Sequence, residues 1–156
     1  MPLYTNISTG TVAYTPGTIN SSLILPNSTA NNNSASLVEI PEFKLAINKY
    51  ERYILKYTLF TTADATSDIK VQVDTPASPD IYRAHLITGG DEGTTALTSE
   101  TTLSLTTDTA NDVVEIKALV HNGSNSGNIK FWFAERDDSG AGVRVLGGSY
   151  LEYMKF

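Results

Sequence analysis

The chain reads as an all-β protein, and three observations say so. Apolar and polar residues alternate over several short runs, as where Ile69, Val71 and Val73 stand between Lys70, Gln72 and Asp74. Thr, Ser and Asn are abundant, and Thr and the β-branched residues favour strands over helices. No window repeats apolar residues at helical spacing over three turns. At 156 residues the chain suits one domain, or one domain with an arm.

The first 38 residues contain no Asp, Glu, Lys or Arg, and Glu39 is the first charge. Tyr4, Ile7, Val12, Tyr14 and Ile19 are scattered there among Thr, Ser, Asn and Gly, and Leu23, Ile24 and Leu25 form an apolar island before Pro26. Residues 27–36 have linker composition. One reading of residues 1–36 is a disordered tail. Disordered tails are usually charged and poor in aromatics, however, and this segment is neutral with two Tyr. The expectation is therefore an extended arm that orders against a neighbouring surface, with Tyr4, Ile7, Val12, Tyr14, Leu23, Ile24 and Leu25 as its contacts. A neutral arm can lie along another protein without burying unpaired charge.

From residue 37 strands follow at short spacing. Residues 37–47 form the first, broken at Pro41, which places it at an edge or bend. Residues 50–61 form the longest, with Tyr53, Leu55, Tyr57 and Leu59 inward against Arg52, Lys56 and Thr58. Residues 69–74, 81–88 and 95–105 come next, separated by polar turns. In residues 113–120, Val114, Ile116, Ala118 and Val120 face inward. Residues 127–136 and 143–151 read as a closing hairpin around the turn at residues 137–142, whose Asp, Ser and Gly suit β-turns. That makes eight strands, so residues 37–156 are expected to be an eight-stranded β-sandwich, taken as a jelly roll. An immunoglobulin-like topology would fit eight strands as well.

The last strands are unusual in having two apolar faces. Ile129, Phe131 and Phe133 point one way, and Trp132 and Ala134 the other. In the final strand Tyr150, Met154 and Phe156 oppose Leu151 and Tyr153. A sheet strand covered on one side shows one polar face, so a second cover is expected here, supplied by another copy of the chain. Phe131, Trp132, Phe133, Tyr150, Tyr153 and Phe156 are the residues expected in that interface and in the core.

The same region carries a resemblance. Gly127 before an apolar strand that ends in Ala134 and Glu135, then a polar turn, then Gly148, Ser149, Tyr150 and Leu151, resembles the end of tailed-phage virion structural proteins. These are trimeric β-sandwich proteins of the head decoration (cement) or head-fibre type. Tyr53, Tyr57 and Phe60 leading into Ala63 and Asp64, then residues 68–71, then Pro76, follow the order of such domains. The resemblance spans residues 37–156. Residues 131–133 are more aromatic than the pattern, and Glu135 stands where an amide is usual. It implies a homotrimer on the capsid surface of a virion, with the major capsid protein as partner. It brings no catalytic residues and no cofactor.

The remaining chemistry is sparse. A net charge of −6 lacks the basic footprint of a nucleic-acid binder and does not suit anionic lipid. There is no Cys, so neither disulfides nor thiol chemistry enters. No run of 18 apolar residues crosses a membrane as a helix, and no basic and apolar leader is seen, so no signal peptide is expected. His85 and His121 read as structural or solvated residues. Ser149 is not in a nucleophile elbow. Asp64 with Asp68, Asp91 with Glu92, Asp108 with Asp112 and Asp137 with Asp138 would suit glycoside hydrolysis or calcium only if held together; Asp favours turns in any case. Gly140-Ala-Gly142 runs into a strand and so is no dinucleotide fingerprint. The chain is expected not to be an enzyme. The rival to a capsid cement protein is a fibre-tip module that binds host glycan, with Trp132, Tyr150 and Tyr153 as an aromatic platform. A hydrolase ranks last.

Overall fold

A computed structural model describes residues 21–24, 30–63, 68–77, 81–88, 92–93, 102–105, 112–136 and 139–156. The protein is all-β, with two antiparallel sheets packed as a sandwich. Its strands are β1 (Ser21–Ile24), β2 (Ala30–Asn32), β3 (Val38–Glu39), β4 (Leu45–Ile47), β5 (Arg52–Ala63), β6 (Ile69–Asp74), β7 (Ile81–Thr88), β8 (Glu92–Gly93), β9 (Thr102–Leu105), β10 (Asp112–His121), β11 (Gly127–Glu135), β12 (Val143–Val145) and β13 (Tyr150–Lys155). The larger sheet runs β1-β13-β5-β10-β7-β8, with β12 also on β5 and β2 on β12. In the smaller sheet β3 and β4 both pair with β11, followed by β6 and β9.

The predicted alternations build the core. Tyr53, Leu55, Tyr57 and Leu59 on β5 and Val114, Ile116, Ala118 and Val120 on β10 are buried from the larger sheet. Ile69, Val71 and Val73 on β6 and Ile129, Phe131 and Phe133 on β11 meet them from the smaller one. The Tyr57 and Phe131 rings lie 4.7 Å apart, and Phe43 sets its edge against both at 6.0 and 5.8 Å. Phe43 comes from a single 3₁₀ turn, Pro41–Phe43, between β3 and β4. Pro41 opens that turn, where a missing N–H costs nothing. The break predicted at Pro41 thus falls on an edge strand, and it delivers a ring to the centre of the core.

Three expectations change. First, residues 127–136 and 143–151 do not form a hairpin. β11 belongs to the smaller sheet, and β12 and β13 to the larger. The turn between them bridges the two layers, which lie roughly 10 Å apart in a sandwich. The fully buried Glu135 carboxylate helps to hold it, accepting the Ser139 N–H at 2.8 Å, the Gly140 N–H at 3.2 Å and the Ser139 hydroxyl.

Second, the far end of the expected arm is part of the sandwich. β1 pairs antiparallel with β13, with Leu23 opposite Leu151 and Ile24 opposite Tyr150. β2 pairs with β12, and Asn32 is buried, its amide donating to the carbonyls of Ser36 and Phe133. Backbone pairing and amide capping draw the segment in, and neither leaves an apolar pattern to read. Tyr4, Ile7, Val12, Tyr14 and Leu25 lie outside the described residues.

Third, the expected strand 143–151 is two strands, β12 and β13, that run along β5 with an interruption between them. Residues 146–149 face only residues 59–60 of β5. Gly148 takes φ 91°, a conformation that suits glycine. The buried Ser149 hydroxyl accepts the Phe60 N–H at 3.0 Å and donates to the Leu146 carbonyl at 2.7 Å. Ser149 is thus a substitute for missing ladder bonds.

Phe131→Ala is expected to cost about 3–5 kcal/mol, because it empties the contact between the sheets. Val113→Ala, on the exposed face of β10, should stay within about 0.5 kcal/mol. Urea unfolding of the two variants tests this; equal losses would contradict the core assignment.

Candidate interaction surface

The six residues expected at a subunit interface and in the core end up in three places. Phe131 and Phe133 are fully buried inside their own protomer, so the core uses them. Trp132 lies half-buried on the outer face of the smaller sheet, opposite Glu39 on β3 and Gln72 on β6. The Lys130 ammonium sits 5.7 Å from its ring centre, and Lys44 reaches Glu39 at 2.8 Å. The second face of β11 is therefore a single indole among charged and amide groups. Tyr150, Tyr153 and Phe156 belong to the other sheet or its end. Tyr153 packs on the core beside Tyr53, with ring centres 6.4 Å apart. Tyr150 is half-buried and Phe156 is 48% exposed. Trp132 and the two tyrosines do not meet, so the predicted aromatic platform is not assembled.

An apolar row does cross the outer face of the larger sheet. Register places Met154 beside Ile54, and Ile54 beside Leu119, on the adjacent strands β13, β5 and β10. Ile54 is 40% exposed and Leu119 37%. The next row on that face is Glu152, Lys56 and Lys117. Lys56 also reaches Glu115 at 2.7 Å, and that bond raises its pKa. Sequence reading passed over Ile54 and Leu119 because polar residues flank each on its outward face, Arg52 and Lys56 around Ile54, Lys117 and His121 around Leu119. Their signal was that both fall on the outward phase of neighbouring strands.

One end of the sandwich is tied together by polar groups. The fully buried Asn122 donates through its amide to the carbonyls of Asn48 at 2.7 Å and Asn125 at 2.6 Å. Its backbone N–H reaches the Glu51 carbonyl, and the Tyr50 N–H reaches the Gly123 carbonyl, both at 2.8 Å. Asn125 bonds the Ala77 carbonyl at 2.9 Å, and Gly127 leaves room for Pro76, whose Cγ would stand 3.1 Å from any Cβ there. Glu51 accepts from Asn48, Tyr53 and Lys155. Burial pushes its carboxyl up, but these donors together outweigh it and hold the pKa at about 2, below the ordinary 4.5.

Little else assembles. His85 stands opposite Lys117, and His121 lies four residues further along β10, roughly 13 Å away by strand rise. Each of the four carboxylate pairs has a member outside the described residues. Among the described residues no group of three or more His, Asp or Glu is placed to hold a metal ion. No helix there is long and apolar enough to cross a membrane. The sequence matches no family model, and no curated protein matches it either.

The Glu51 shift makes stability depend on pH. The unfolded chain takes up a proton near 4.5, while the folded chain resists until about 2. The contribution is whole above 4.5 and is lost as pH falls through 2. Urea unfolding between pH 5 and 2 should show a shallower pH slope for Glu51→Gln than for the wild type; parallel slopes would contradict the assignment.

Proposed function

We propose that the protein is a virion structural protein, a trimeric capsid decoration protein that stabilises a head shell. The observation that carries the reading is the strand order. The layer β4-β11-β6-β9 faces the layer β5-β10-β7-β8, and from β4 to β7 and again from β8 to β11 each strand passes to the opposite sheet. Two such four-stranded layers with alternating crossings support reading the sandwich as a jelly roll, an architecture of viral capsid domains as well as lectins. Fold alone does not carry function. What joins it is the resemblance in residues 37–156 and the outward row of half-buried Met154 and exposed Ile54 and Leu119, which gives a copy of the chain a surface to bind.

The mechanism is thermodynamic. A trimer seated on several major capsid protein subunits binds only the assembled shell, and linkage moves the equilibrium toward that state. Three copies acting together hold where one contact would not. No nucleic acid, membrane or cofactor takes part in this reading. The glycan-binding alternative loses its platform, because Trp132 sits on a different sheet from Tyr150.

Light scattering should give about three times the chain mass of 16.9 kDa. Ile54→Asp and Leu119→Asp should each give a folded monomer, and shells that lack the protein should retain the wild type on co-sedimentation. A wild-type monomer, or charged variants that stay trimeric, would refute the interface. A trimer that no shell retains would refute the decoration role.

A further inference from the structure

The sandwich end made of turns 48–51, 75–77 and 122–126 carries a residue that neither the core nor the apolar row uses. Tyr50 has φ 62°, and it is the one residue other than glycine with positive φ among the described residues. A Cβ disfavours that conformation, which glycine or asparagine adopts more easily. No packing offsets the cost, because Tyr50 is 63% exposed. The turn nevertheless imposes it from both sides. The Tyr50 N–H is bound by Gly123, the Lys49 N–H by the Ser126 hydroxyl, and the Asn48 N–H by Glu51. Backbone strain that surrounding bonds enforce, on a side chain the fold does not use, points to a role outside the fold.

The neighbours say what kind of role. Asn48, Lys49, Ser124, Asn125 and Ser126 are all exposed around this end. Tyrosine offers a large amphipathic contact at low entropic cost, and serine and asparagine offer adaptable hydrogen bonds. Together they are the chemistry of a protein-binding loop. Small-ligand sites are concave and enclose their ligand, whereas an exposed ring on a tight turn presents the converse shape. We infer that Tyr50 is a preformed anchor that enters a pocket on a protein partner. The inference rests on the decoration reading, under which that partner is the shell subunit, and it assigns the end of the sandwich that faces the shell. Rigidity is the device: the backbone that carries the ring is already held by these bonds, so little main-chain freedom is lost on docking.

The test compares wild type, Tyr50→Gly and Tyr50→Phe for thermal midpoint, mass, retention by shells lacking the protein, and binding to a glycan array. Glycine relieves the strained backbone, so the midpoint should hold or rise and the mass should not change. Retention by Tyr50→Gly should weaken at least about tenfold, as for an anchor residue, while Tyr50→Phe keeps most of it. Equal retention of Tyr50→Gly and wild type would overturn the anchor and leave the decoration role standing. Array binding that disappears with Tyr50→Gly would overturn it in favour of a sugar site. A wild type that no shell retains would overturn the decoration reading and the anchor with it.

Discussion

The contact of Tyr57 with Phe131 is the one on which the rest of the structure depends. It joins the longest strand of one sheet to the central strand of the other, and Phe43 closes it from the edge. With no Cys, no disulfide joins the two layers, and burial of apolar surface between them is the main force that does. The aromatic centre also decides the phase of the strands around it. Once Tyr57 points inward, alternation sends Ile54 and Lys56 out, and pairing sends Leu119 and Met154 out beside Ile54. The outward row is therefore a consequence of how the core is packed, and a one-residue slip of β5 would exchange the two.

The polar end of the sandwich does a different job. Chains that cross between sheets leave peptide groups at each crossing without ladder partners, and each must be satisfied locally. Asn122 and Glu51 do so at one crossing, Glu135 at another, and Ser149 where the pairing along β5 is interrupted. Asn122 sits in sequence among turn residues, and Glu51, Glu135 and Ser149 stand near the ends of expected strands, where none of them looks different from surface chemistry. Asn122, Glu135 and Ser149 are fully buried and Glu51 partly so, which separates them from the solvated Asn and Ser nearby.

Much of the fold was legible because half-buried strands write their phase into the sequence. The inward sets of β5, β6 and β10 are the ones that alternation names, and Pro41 marks its bend. Pairing was not legible, since backbone hydrogen bonds are indifferent to side-chain type. That is why β11 and β12 looked like a hairpin, and why β1 and β2, flanked by Ser and Asn, looked like an arm. Phe131 and Phe133 were read correctly as inward but were also credited to an interface, because two apolar faces cannot be told from one aromatic core and one isolated Trp132. Tyr50 left no signal at all, because a tyrosine between lysine and glutamate has no pattern that betrays a positive φ.

The position of β13 has a consequence for how the chain folds. β13 follows β5 by almost a hundred residues and lies between β5 and β1, so the larger sheet has a gap on one side of its longest strand until β13 is in place. Most of the strand pairings join residues distant in the sequence, and such topologies fold slowly. Before β13 docks, the open edge of β5 carries Leu55, Tyr57 and Leu59 without their final cover. An unfilled edge of β5 is a template for strand exchange between copies until β13 closes it.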